Sequence, residues 1–160
     1  MSGVVYVETT IFSFYHEQRT TPGVVAMRQW TREWWDKHRT RYTPVTSAAV
    51  LAELDAGQLP HRNDALAMAK ALPAIPVEDA ATEIADVYIK HMVMPADPSG
   101  DALHLALASF HRVDYLLTWN CRHLANANKF NHIRRVNMLL GLPTPVLVTP
   151  LELLGEGAPS

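Results

Sequence analysis

The chain has 160 residues, 48% of them hydrophobic, with 14 Lys and Arg against 16 Asp and Glu. That length and apolar content suffice for one domain with a substantial core, expected to span 1–155 and to be followed by a loose tail at 156–160. No apolar run reaches the roughly 18 residues of a bilayer span and no basic-then-apolar leader opens the chain, so neither a membrane nor an exported protein is expected. The single cysteine, Cys121, precludes an internal disulfide and fits a reducing cytoplasm.

The small net charge conceals a division. Residues 102–151 carry Arg112, Arg122, Lys129, Arg134 and Arg135 against one acid, Asp114, and the rest of the chain is net acidic. Solvated helix faces account for such a division, and so does a site that gathers cations with one set of residues and holds a polyanion with the other.

Val4-Val5-Tyr6-Val7 is a β-branched and aromatic run, read as a strand buried on both faces. Glu8 stands at its end, followed by Thr9 and Thr10, which are placed to cap a short helical turn over residues 11–15. A charge between two apolar elements is costly unless paired, so Glu8 is either a ligand or an ordinary surface carboxylate. A longer helix is expected from Val24 to His38, with Trp30, Trp34 and Trp35 either packing as core or forming a surface for a partner or a second copy. Residues 42–46 read as a second strand.

Ser47 reads as the cap of a helix over 48–56 that Gly57 closes. In that helix Glu53 shares a face with Val50 and Leu54 and so calls for a cation or a metal, whereas Asp55 points elsewhere as a solvated charge. An amphipathic helix over 60–72, a short extended segment at 74–77 and a helix capped by Asp79 complete the scaffold. Asp97, in the rigid Pro95–Pro98 loop, is either a loop cap or an outer-shell carboxylate.

Pro98 to Asn120 is read as a capped helix, a tight turn and a short buried strand, with Ser99 as the cap and Asp101 in the first turn, where the helix dipole favours a negative charge. The helix is apolar on nearly every face, as expected of one packed on a sheet. Strand residues 115–118 lead to Trp119 and Asn120. In α/β layers ligands sit beyond the carboxyl ends of the strands, so Asp101 and Asn120 are expected at one edge. His104 is either a satisfied core histidine or a partner for an acid or phosphate. Cys121 reads as a small buried residue rather than a nucleophile. A helical turn at 121–126, a helix over 129–140 ended by Gly141, a strand at 146–148 and a short helix over 151–154 follow.

Glu8, Glu53 and Asp101 lie roughly 45 residues apart, each where a buried element presents an acid. Converging carboxylates without Lys or Arg partners repel one another and raise each other's proton affinity unless a divalent cation neutralises them. Oxygen-only ligands favour Mg2+ or Mn2+ over zinc, and such a site suits in-line hydrolysis of a phosphodiester, which makes nucleic acid the expected substrate. No glycine-rich phosphate loop, Cys-x-x-Cys, His-Glu-x-x-His or Gly-x-Ser-x-Gly motif is present.

Four ordered segments carry a family resemblance: Tyr-Val-Glu8-Thr-Thr, the helical acid Glu53, Gly-Asp101-Ala-Leu-His-Leu-Ala, and Leu-Leu-Thr118-Trp-Asn120 followed by His123-Leu124. They resemble the motifs of the PIN domain, with the closest similarity to VapC-like toxins, from Val4 to about Leu154. The resemblance implies a three-layer α/β fold with a central, mostly parallel sheet flanked by helices, and a Mg2+- or Mn2+-dependent endoribonuclease. It also implies dimerisation and, in the toxin branch, inhibition by a small antitoxin. Glu8, Glu53 and Asp101 would be metal ligands and Asn120 an outer or weak one. Thr9, Asp97, His104 and Thr118 are candidate supports, and Arg122, Lys129, Arg134 and Arg135 candidate phosphate contacts. Two departures stand out: Glu8 replaces the usual aspartate, and Asn120 replaces the fourth acid. The second keeps open a weakened PIN-fold module that binds RNA or protein without cutting.

Overall fold

The structure is a computed structural model and describes residues 3–58, 60–95 and 100–155. Asp97, Ser99 and the expected tail at 156–160 lie outside the described residues. The elements are β1 (Val4–Val7), α1 (Thr9–Tyr15), α2 (Pro22–Glu33), β2 (Thr43–Ser47), α3 (Ala48–Ala56), α4 (Arg62–Lys70), β3 (Ala74–Ile75), α5 (Asp79–Lys90), α6 (Asp101–Phe110), β4 (Tyr115–Leu117), α7 (Ala127–Leu139) and β5 (Val146–Val148). The strands form one parallel sheet in the order β3-β2-β1-β4-β5, flanked by the helices.

Hydrophobic burial builds this sheet from its centre. Val5, Tyr6 and Val7 of β1 are fully buried, as are Leu116 and Leu117 of β4, with Tyr6 paired to Leu116 and Val7 to Leu117. Parallel strands covered on both faces read as continuous apolar runs, and these do. Pro44 lies within β2, where Val5 is its neighbour on one side, while β3 pairs only with Thr46 and Ser47. The missing amide hydrogen therefore falls on an unpaired stretch.

From β1 the chain steps to β2 and β3 in one direction, then crosses back past β1 to β4 and on to β5. Right-handed crossovers put the helices of the two directions on opposite faces. The contacts agree: α1 packs with α2, α3 and α4, and α5 packs with α6. The step reverses between β1 and β4, which makes their carboxyl ends a topological switch point, where open α/β sheets form a crevice. Among the described residues no helix is long and apolar enough to cross a membrane.

Several local expectations are corrected. Glu8, not Thr9 or Thr10, is the N-cap of α1, because its carboxylate reaches back to the Thr10 N–H. The tryptophan-bearing helix starts at Pro22 and widens into a π-helical turn at Trp34–His38, where the Arg39 N–H reaches the Trp34 carbonyl. Trp34 and Trp35 are buried core, whereas Trp30 is half-buried and stacks on Trp119. Glu78 rather than Asp79 occupies the cap position of α5. Gly57 closes α3 in extended conformation, and residues 151–154 form turns rather than a helix. Ser47 caps α3 through the Val50 N–H and Gly141 ends α7 at φ 71°, both as expected.

A buried polar knot holds the second helical layer to the sheet. Asn137 accepts from the Tyr88 hydroxyl at 2.5 Å, and its amide donates to Ser109 at 3.0 Å and to Thr144 at 3.1 Å, joining α5, α6, α7 and the approach to β5. Burial pushes the Tyr88 phenol up to about 12, as expected of a hydroxyl that stays neutral. Removing a hub leaves several buried polar groups unpaired, which costs more than the bonds themselves. Asn137→Ala is therefore expected to lower the unfolding free energy by about 2–3 kcal/mol and Tyr88→Phe by about 1 kcal/mol, read by urea denaturation; equal losses would show that Asn137 serves Tyr88 alone.

Candidate active site

Tyr6 and Glu8 alternate onto the same face of β1, the first inside the layer and the second at its carboxyl end. The Glu8 side chain is 4% exposed and its Oε1 takes every hydrogen bond it receives from the described residues: Thr10 Oγ1 at 2.6 Å, Thr118 Oγ1 at 2.7 Å and Thr10 N at 3.2 Å. Thr118 closes β4 directly beside β1, so the switch point itself delivers this clamp. Burial pushes the Glu8 carboxyl upward, opposed by His104 and by the two threonines.

His104, one turn into α6, is the hub. It is 1% exposed and both ring nitrogens are engaged: Nδ1 with the Tyr6 hydroxyl at 2.7 Å, and Nε2 with Oε1 of Glu53 in a short ion pair. Tyr6 continues to Ser47 Oγ at 2.7 Å, and Thr9 Oγ1 donates to the same Glu53 oxygen at 2.7 Å. Burial alone would push the His104 imidazole down. The Glu53 bond and the charges of Glu8, Glu53 and Asp101 outweigh it and hold the ring above the usual histidine range. The three acids thus act on one buried imidazole.

Asp101 opens α6, 4% exposed, in the first turn. Gly100 before it is left-handed at φ 84°, a conformation that favours glycine, and a Cβ there would lie 3.7 Å from Oε2 of Glu53 and 3.9 Å from Nε2 of His104. The neighbouring acid Asp101 also acts on Lys129, whose ammonium burial pushes down and Asp101 pushes back up. Lys129, one of the four expected phosphate contacts, is thus within the field of an acid of the group. Arg122, Arg134 and Arg135 are exposed, the last two farther along α7. A cleft of about 230 Å³ beside Glu53 is lined by Thr9, Ser13, Gly57 and Arg62. A larger cavity of about 600 Å³ lies at Glu17, Arg19 and His61 and includes none of these acids, so size alone does not locate the chemistry.

Asn120 turns its Oδ1 to the His123 N–H at 3.0 Å, capping the turn that follows β4. Cys121 is exposed rather than buried, and partial burial together with Glu152 pushes its thiol up, away from the reactive thiolate. Thr9 and Thr118 hold Glu53 and Glu8 as hydroxyl supports. Thr10, Tyr6 and Ser47 belong to the same network and were not anticipated. Period-two alternation from Glu8 is the signal that could have found Tyr6, and the sequence presents Ser47 only as a cap.

Carboxylate oxygens are the donors that a hard divalent cation takes. Among the described residues, however, no three His, Cys, Asp or Glu side chains are arranged to hold a metal ion, with Glu53 drawn onto His104 instead.

The fold is shared with solved structures. One is VapBC2 from Rickettsia felis bound to a DNA fragment from their promoter, 15% identical, with a TM-score of 0.54 over 91% of this chain and 98% of that one. Another is FitAcB from Neisseria gonorrhoeae, 15% identical, with a TM-score of 0.53 over 92% of this chain and 98% of that one. No family model and no curated protein matches the chain.

The His104 environment sets a pH dependence. The folded state holds the His104 proton more tightly than the unfolded chain does, so its contribution is complete below the unfolded value of about 6.5 and is lost as pH rises through the higher folded value. Glu8, also raised, acts in the same direction at lower pH. In EDTA the unfolding free energy is expected to fall as pH climbs above neutrality, and His104→Gln is expected to flatten that slope; urea titrations across the range read it directly.

Proposed function

We propose that the protein is a metal-dependent endoribonuclease of PIN type, the toxin of a type II toxin–antitoxin pair. The observation that carries this reading is the convergence of Glu8, Glu53 and Asp101 on one buried imidazole at the switch point of a parallel sheet. A cluster with that much negative charge is expensive to maintain without a cationic ligand. The shared fold of VapBC2 and FitAcB, both toxin–antitoxin complexes, supports the toxin role, and a small antitoxin and a second copy of the chain are the proposed partners.

Glu8, Glu53 and Asp101 would hold Mg2+ or Mn2+, which when bound supplies charge neutralisation for in-line displacement at phosphorus. The other roles belong to the chain itself. Thr10 and Thr118 fix the Glu8 carboxylate, Thr9 and His104 fix that of Glu53, and Lys129 meets the phosphate beside Asp101. Arg122, Arg134 and Arg135 extend the basic track for the RNA backbone.

One observation favours a second reading, a binding module that no longer cleaves: the Asn120 oxygen is already used as a turn cap, leaving the fourth acidic position of the family motif without a charge. Incubation of mixed RNA with the protein and Mn2+ separates the two. Cleavage is expected, and Asp101→Asn, with an unchanged circular dichroism spectrum, is expected to reduce it about 100-fold or more. A folded wild type that cuts no RNA with either metal would leave the binding module.

A further inference from the structure

The acids of the candidate site repel the phosphodiester they would process, so affinity must come from groups beside them. The sheet edge places such groups next to Glu8. Trp119 follows Thr118, whose hydroxyl holds Glu8; its backbone N–H donates to Thr10 Oγ1 at 2.8 Å, and that hydroxyl donates to Glu8. The Trp119 backbone is therefore two hydrogen bonds from the carboxylate, and its indole is carried beside it. Its orientation is fixed: Nε1 donates to Oγ1 of the fully buried Thr31 at 2.7 Å, and Thr31 in turn donates to the Met27 carbonyl at 2.6 Å. Trp30 stacks on Trp119 with ring centroids 6.2 Å apart and planes at 27°, and Phe14 is tilted against Trp119 at 6.1 Å and 54°.

All three rings are half-buried, unlike Trp34 and Trp35, which serve the core. The indole nitrogen of Trp119 is already satisfied by Thr31, which leaves its ring for apolar contact. Arg122 is exposed three residues beyond Trp119 and supplies a cation on the same turn. A flat, oriented aromatic surface with a cation beside it matches one ligand chemistry in particular: a nucleobase with its phosphate. A paired base has both faces covered by its neighbours in the helix, whereas an unpaired base has a face to give.

We propose that Phe14, Trp30 and Trp119 form a nucleobase-binding subsite that stacks an unpaired base next to the acids. The proposal rests on the ribonuclease reading for its substrate, but it is tested by binding and so stands or falls separately from cleavage. A short 2′-O-methyl RNA, single-stranded or annealed to its complement, is titrated into the full chain while tryptophan fluorescence is followed. The single strand is expected to quench the emission and to bind more tightly than the duplex. Trp30→Leu is expected to weaken single-strand binding about tenfold or more and to reduce the quench, with Trp30→Phe restoring most of the affinity. Single-strand affinity unchanged in a folded Trp30→Leu, or no single-strand binding by the wild type, overturns the subsite. RNA cut by the wild type and by Trp30→Leu at equal kcat/KM would overturn it while leaving the nuclease standing. Quenching that depends on Trp30 in a protein that cuts no RNA would support the subsite and remove the nuclease.

Discussion

The carboxyl edge of the sheet depends on one contact, the ion pair between Glu53 and His104. Through it α3 and α6, which belong to different helical layers, are joined across β1, since His104 also meets the Tyr6 hydroxyl and Tyr6 meets Ser47 at the end of β2. With the ring protonated, both of its N–H groups donate, one to Glu53 and one to Tyr6, so neither nitrogen of this buried imidazole is left over. Burying a charge is costly in itself. Here three carboxylates surround the imidazole and outweigh the desolvation, which is why the histidine is held above its usual range instead of being neutralised by its surroundings.

The topology explains how residues so far apart in the chain arrive at one place. Strand order reverses between β1 and β4, and the helices leave on opposite faces, so the ends of those two strands have no helix packed between them. Glu8 ends β1, Thr118 follows β4, and α6 begins with Asp101 on the return crossing. Each support is a short, branched hydroxyl residue: Thr9, Thr10 and Thr118 hold carboxylates with little conformational freedom of their own.

Much of this arrangement was legible in the amino-acid order. The strands announce themselves as apolar β-branched runs, and the three acids stand out because each follows or interrupts a segment that has to be buried. The misreadings share a cause: residue-type preferences were applied where tertiary contacts decide. Glu8 caps α1 because strand burial pins its carboxylate over the Thr10 N–H, a role glutamate seldom has by preference. The π-turn at Trp34–His38 arises where two adjacent indoles must both enter the core, and no periodicity announces a widened turn. The local turn that engages the Asn120 oxygen is likewise not announced by the motif. The pairing of Trp30 with Trp119 joins residues 89 positions apart and is visible only once the chain is folded.

The sheet also ends abruptly at both sides. β3 contributes only Ala74 and Ile75, and β5 only Val146 to Val148, with Pro143, Pro145 and Pro150 around it. Short rims interrupted by proline give a foreign strand almost nothing to zip onto. Edge-to-edge growth of a chain nearly half apolar is thereby disfavoured.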